Sequence, residues 1–222
     1  MRRLLWPVTL LLVAIGITIV VRRALHLVAP PAVPSNRQDA ALDGGFARHP
    51  VLTMVHILPG LLFVLLAPLQ FVRTLRTRRP ALHRWTGRVV IAAGIVIGGS
   101  ALVMGPQMAI GGALESAATM SFAAFFLFAL LKALQSIRQG KVALHREWMI
   151  RAFAIGMAVT TTRPIVGVFF ATSRLTHLTP HDFFGIAFWL GFILQGMAAE
   201  LWIRHTRPET TAMRARTIRA LI

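Results

Sequence analysis

The stretch ALHREWMIRAFAIGMAVTTTRP, residues 143–164, decides how the chain folds. It is long and apolar enough to cross a bilayer, which takes about 20 residues in a helix. Yet it contains His145, Arg146, Arg151 and Arg163. An arginine at membrane depth is costly and usually has a function. The stretch therefore predicts a transmembrane helix that carries part of a polar site.

The composition of the whole chain is that of a membrane protein. Of the 222 residues, 56% are hydrophobic and 14% are charged, and the mean hydropathy is +0.67. The net charge of +17 would suit a nucleic-acid partner. The basic residues, however, stand in short blocks between apolar runs, as in polytopic membrane proteins. We therefore expect the lipid bilayer, and no nucleic acid, as a partner. Because the chain has no cysteine, disulfides, iron–sulfur clusters and c-type haem are excluded.

Six apolar runs predict an all-α fold, a bundle of six transmembrane helices. The runs are residues 5–22, 51–72, 81–104, 115–136, 146–172 and 183–203. Short connections after the first loop predict antiparallel neighbours in one bundle. We divide the chain into a first transmembrane helix (1–22), an irregular outer loop (23–50), a five-helix membrane core (51–205) and a basic cytoplasmic tail (206–222).

The basic residues also predict the orientation. Five of the 24 Lys and Arg residues fall on the side away from the N-terminus, one lies within the membrane, and the remaining eighteen fall on the side of the N-terminus. The five are Arg22, Arg23, Arg37, Arg48 and Arg174, and the one within the membrane is Arg163. The positive-inside rule then places both termini in the cytoplasm.

The tetrapeptide ALHR occurs twice, at residues 81–84 and 143–146. Its two copies place His83 and His145 at the starts of the third and fifth helices, at the same face of the membrane. At about 100° per residue, small residues follow both histidines along one side of each helix. They are Gly87, Gly94 and Ala101 after His83, and Ala152 and Gly156 after His145, with Arg163 next on the same side of that helix. Such stripes either let helices pack closely or clear space for a flat cofactor.

Polar residues inside the predicted spans form a second group of candidates. Arg163 and His56 are expected at a similar depth near the outer ends of their helices, with Gln70 near the inner end of the second helix. Glu200 stands four residues before Arg204, a spacing that allows an ion pair on one helix. In one interpretation His56 makes an ordinary hydrogen bond between helices and Arg163 extends to the outer surface. In the other, Arg163, Gln70 and Glu200 line a polar intramembrane site, together with His56.

Several motifs are specific enough to suggest a family. They are HILPG at 56–60, APLQF at 67–71, RRPALHRWTGRV at 78–89, LHREWMIRAFA at 144–154 and TTTRP at 160–164. Together they resemble a bacterial family of predicted membrane proteins, domain of unknown function 2306, over about residues 45 to 205. The resemblance implies a membrane fold and a multi-pass location in the bacterial inner (plasma) membrane. It implies no particular reaction.

A smaller set of features resembles the six-helix dihaem cytochromes b. That resemblance implies haem b, with His83 and His145 as ligands of the haem iron and a quinone or redox partner. His56 would match a further ligand, and Arg84 and Arg151 would pair with the haem propionates. The fourth predicted helix has no histidine, so His56 would need Met120 as its partner.

Two functional hypotheses follow. The first is an integral membrane protein that binds b-type haem and transfers electrons. The alternative is a non-enzymatic small transporter, sensor or membrane assembly factor with a polar intramembrane site. The sequence has no paired carboxylates and no nucleophile motif, so it gives no catalytic residues and disfavours an enzyme.

Overall fold

A computed structural model describes residues 2–29 and 37–207, and its long elements are all α-helices. They are α1 (Arg2–Val28), α2 (Arg37–Arg48), α3 (Pro50–Leu66), α4 (Arg73–Arg78), α5 (Pro80–Met108), α6 (Gly112–Arg138), α7 (Val142–Thr176) and α8 (Pro180–Thr206). A short 3-10 helix, Pro68–Phe71, lies between α3 and α4. No strand occurs in the described ranges. The prediction of an all-α fold is confirmed.

Within the described residues, six segments are long and apolar enough to cross a membrane, as predicted. They are Trp6–Val28, Pro50–Phe71 and the four helices α5 to α8. No more than 39% of the most apolar window of any of them is buried inside the protein. Most of their apolar side chains therefore face outwards, which is stable in lipid and not in water.

The helices are longer than the predicted spans because they continue beyond the apolar residues. The helix predicted over 146–172 runs from Val142 to Thr176, where His177 adopts a left-handed conformation (φ 56°) and ends it. The span predicted over 51–72 is instead divided. Pro68 has no backbone N–H to donate, and α3 ends just before it.

The segment 23–50, expected to be an irregular outer loop, is partly helical. Helix α1 continues to Val28, and α2 forms within the segment. The expectation rested on turn-forming residues such as Gly44 and Gly45. Tertiary contacts outweigh them, because Asp43 and Phe46 of α2 both contact Arg23 of α1. The basic tail is described only up to residue 207, so most of it lies outside the described residues.

Helices α3, α5, α6, α7 and α8 pack around one core, and those joined by short connections are antiparallel. The three-residue connections 109–111, 139–141 and 177–179 impose this arrangement. The core centres on Phe63 and Phe126, whose ring centroids lie 5.7 Å apart. Helix α1 packs against α3 and α7, where Gly16 lets Val64 and Thr160 approach closely.

The two ends of the bundle differ in what they hold. At one end Trp6, Arg146 and Trp202 line a shared groove, so α1 begins where α8 ends. We call this the terminal end. At the other end, Asp43 of α2 binds Arg22 and Arg23 of α1, and we call it the α2 end.

Candidate functional site

A cavity of about 220 Å³ lies between the helices, in the half of the bundle towards the α2 end. Every helix except α4 contributes to its lining, and most of its lining residues are apolar. We call it the bundle cavity. Its polar lining residues are Arg23, His56, Glu115, Thr119, Thr160 and Arg163.

Arg163 reaches the bundle cavity from α7. Its Nε atom is buried and has no hydrogen-bond partner among the described residues. The neighbouring hydroxyl groups donate within α7, Thr160 to the carbonyl oxygen of Met157 and Thr162 to that of Ala158, at 2.6 and 3.1 Å. Neither accepts a hydrogen bond from Arg163 Nε. A guanidinium inside a membrane is costly unless an acceptor meets it. Arg163 is therefore the polar group of the cavity with the most binding capacity left over.

Glu115 is the acidic residue that lines the bundle cavity, and it is tied to its own helix. It lies in the first turn of α6, buried, and its Oε2 accepts a hydrogen bond from the backbone N–H of Gly111 at 2.6 Å. A carboxylate at a helix N-terminus is stabilised by the unpaired N–H groups and the helix dipole. Glu115 interacts with Arg163 through space, without a direct contact in the described structure.

A cluster around Asp43 covers the cavity at the α2 end. The buried Asp43 accepts from Arg22 at 3.1 and 3.3 Å and from Arg23, and His26 Nε2 lies 3.2 Å from it. The guanidinium of Arg23 also lies over the ring of Phe46, 3.9 Å from its centroid. Arg23 and Phe46 both line the cavity. The cluster thus fixes α2 across the end of the bundle.

His56 and Gln70, both candidates from the sequence, lie at different depths. The Nδ1 atom of His56 is 2.9 Å from Ser100 Oγ, and Gln70 Nε2 donates to Thr86 Oγ1 at 2.7 Å. The two partners stand fourteen residues apart on α5, which is about 21 Å along a helix. Only His56 lines the bundle cavity.

Glu200 also lies away from Arg163. It pairs with Arg151 through two contacts, Nε to Oε1 at 2.6 Å and Nη2 to Oε2 at 3.1 Å. Arg151 precedes Arg163 by twelve residues on α7, or about 18 Å. The structure therefore does not bring Arg163, Gln70 and Glu200 into one site, because the latter two tie helices together towards the terminal end.

The two ALHR histidines lie towards the terminal end, as partly buried residues of α5 and α7. His145 Nδ1 is 2.9 Å from the carbonyl oxygen of Ala133, and His83 Nδ1 is buried without a hydrogen-bond partner. Arg84, proposed for a propionate, is exposed. Arg151, proposed for the same role, is already paired with Glu200.

The space below the two histidines is filled. A Cβ atom added to Gly94 would lie 2.7 Å from Leu130, and one added to Gly156 would lie 2.5 Å from Phe63. Gly94 and Gly156 thus receive side chains of neighbouring helices, as close helix packing requires. Met120, the second ligand suggested for His56, is 41% exposed. Within the described residues, no three His, Asp or Glu side chains gather as metal ligands.

Three residues around the cavity were not identified by sequence reasoning: Arg23, Asp43 and Glu115. Arg23 and Glu115 stand at the edges of apolar runs, where a charge is ordinary, and Asp43 lies within the predicted outer loop. The sequence did offer one indication for Glu115. It follows Gly111 and Gly112 at the start of a predicted helix, where a carboxylate is stabilised. Nothing in the sequence indicated that the Asp43 side chain binds Arg23.

The comparisons with known proteins give a family and no closer relative. The model of the family described as "Predicted membrane protein (DUF2306)" matches residues 53–203, and the chain belongs to this family. The matched residues include His56, Glu115 and Arg163, and they leave out α1 and α2. No curated protein and no solved structure matches the chain.

Proposed function

We propose that this member of the DUF2306 family is a non-enzymatic membrane protein that binds a small ligand in the bundle cavity, as a small transporter or a sensor does. The observation that carries the proposal is Arg163, whose buried Nε lacks a partner beside the bundle cavity. A polar group with unused capacity next to apolar walls is the usual composition of a small-molecule site. We also propose a bacterial plasma membrane as its location, with both termini in the cytoplasm.

The size of the cavity limits the ligand. A cavity of about 150 Å³ holds benzene, so the volume of about 220 Å³ suits a benzene ring with two or three further non-hydrogen atoms. Compounds of this size can be tested directly on the full chain purified in detergent. The measurement is the melting temperature at increasing concentrations of benzoate, benzyl alcohol and benzylamine, which share one ring and differ in charge.

A pair of glycines provides matched variants. Gly60 lines the cavity and Gly99 does not, and at both positions an added Cβ meets nothing within 4 Å. Gly60→Met should fill the cavity and abolish the rise in melting temperature caused by any of the three compounds, whereas Gly99→Met should respond as the unchanged chain does. The proposal is wrong if no compound stabilises the unchanged chain, or if Gly60→Met responds equally well.

Electron transfer through haem b, with His83 and His145 as ligands and a quinone or redox partner, is the second candidate. The filled space at Gly94 and Gly156 counts against it, and the unpaired His83 Nδ1 is what favours it. A reduced-minus-oxidised spectrum of protein produced with added haem decides between the two. A haem absorption band that His83→Ala removes would replace our proposal with this one.

A further inference from the structure

We infer that the bundle cavity selects a monoanion with a compact apolar body, a carboxylate on an aromatic ring or a short chain. The inference rests on the proposed function, because it specifies the ligand of the same cavity. It depends on three features of the described residues: the balance of charge around the cavity, the character of the walls, and the single arginine with unused donors.

The described charged groups around the α2 end of the cavity differ in their partners. Arg22 and Arg23 both bind Asp43. Glu115 is held by the backbone N–H of Gly111. One guanidinium charge, that of Arg163, is left without a direct counter-ion, and an anion entering the cavity would supply it.

The walls beyond Arg163 suit an apolar body. Gly156, which also lines the cavity, lies two turns before Arg163 on α7, or about 10 Å along the helix. Around that level the lining includes Phe63, Phe126 and Ile155. These side chains offer no hydrogen bond to a second polar group. A ligand with its charge on Arg163 therefore places an uncharged part among the rings.

The number of free donors favours one negative charge over two. Arg23, the other cationic residue of the lining, is already engaged by Asp43 and Phe46. A carboxylate matches a single guanidinium with two parallel hydrogen bonds, while a phosphate would keep a second charge that nothing in the cavity balances.

The three matched compounds test this inference. Benzoate should bind about ten- to a hundredfold more tightly than benzyl alcohol, since a hydrogen bond to a charged group is worth that factor. Benzylamine should bind least, because Arg163 repels it. Inorganic phosphate alone should leave the melting temperature unchanged up to the concentration at which benzoate saturates.

Variants of Arg163 show whether this residue causes the preference. Arg163→Gln should abolish the difference between benzoate and benzyl alcohol while leaving the binding of benzyl alcohol unchanged. Arg163→Lys keeps the charge and should preserve the order of the compounds at lower benzoate affinity. This variant replaces Arg163→Gln as the test if the glutamine variant does not fold. Glu115→Gln removes the competing carboxylate and should tighten benzoate binding.

The possible outcomes separate this inference from the proposed function. If benzyl alcohol stabilises the unchanged chain as much as benzoate, the cavity binds ligands and the anion preference is wrong. A benzoate preference that survives in Arg163→Gln also overturns the inference. If none of the compounds acts, the proposed function fails together with it.

Discussion

Hydroxyl groups inside the bundle donate to carbonyl oxygens one turn earlier in their own helices. Ser136 donates to Lys132 at 2.7 Å, and Ser100 to Val96 at 2.7 Å. A hydroxyl has one proton and two lone pairs, so each such oxygen can still accept from another helix. At Ser100 we assign this role to His56 Nδ1–H, 2.9 Å away. The pair joins α3 to α5 beside the cavity.

Removing the acceptor should destabilise the protein measurably. Ser100→Ala should lower the free energy of unfolding by about 1 kcal/mol, in the range of hydrogen bonds between membrane helices. Unfolding of the purified protein in mixed detergent measures the change. Thr172→Ala is the control, because its hydroxyl donates only within α7, to Val168 and Phe169. Equal losses in the two variants would show that His56 contributes nothing.

Single residues were predictable to different degrees. Arg163 could be identified from the sequence because an arginine in an apolar run is unusual wherever the helix packs. Its neighbours in the cavity could not, since Arg23 is 140 residues away and Glu115 lies at the edge of its run. Which charges share a cavity depends on how helices rotate about their axes, and the near-uniform hydrophobicity of these helices leaves that rotation undetermined.

At the level of elements, close helix contacts depend on glycines at particular positions of α8. A Cβ added to Gly191 would overlap with Thr162 of α7, whereas one added to Gly196 meets nothing within 4 Å. Gly191→Ala should therefore cost about 1–3 kcal/mol through overpacking. Gly196→Ala should be neutral or stabilising by up to about 1 kcal/mol, because alanine favours the helix. Melting temperatures of the two variants test this, and a tolerated Gly191→Ala would contradict the α7–α8 packing.

The ion pair between Arg151 and Glu200 links α7 to α8 near the terminal end. Its side chains are 16% and 43% exposed, so solvent and lipid headgroups screen the attraction. A double-mutant cycle with alanine should give a coupling of about 0.5–1 kcal/mol. Arg151→Ala alone should cost more than Glu200→Ala, since the guanidinium also lies 4.7 Å from the Trp148 ring. The control is a cycle of Glu200 with Arg88 of α5, which makes no contact with Glu200 among the described residues and should show no coupling.

The long helices were predictable one at a time, and α2 was not. Each span must satisfy its own backbone in lipid, so an apolar run of sufficient length specifies a helix without knowledge of its neighbours. Helix α2 depends on partners elsewhere in the chain, through Asp43 and Phe46 on Arg23. Gln70 and Glu200 contact Thr86 and Arg151 rather than Arg163, and the sequence could not show this, because depth in a helix does not determine which helix a side chain faces.

For the whole molecule, the orientation in the membrane is a prediction that the chain itself makes easy to test. The absence of cysteine means that a single introduced cysteine is the only thiol. Gln139→Cys lies in the connection between α6 and α7 at the terminal end, and Thr176→Cys lies at the last residue of α7 at the α2 end. Both positions are exposed.

If the excess of basic residues at the terminal end holds that end in the cytoplasm, a membrane-impermeant maleimide should label Thr176→Cys in intact cells. Gln139→Cys should react only after the membrane is opened. Gly99→Cys, whose added side chain meets no protein atom, should stay unlabelled in both conditions if that face of α5 lies in lipid. The reverse pattern would place Arg163 and the cavity towards the cytoplasm, so that the anion would be drawn from inside the cell.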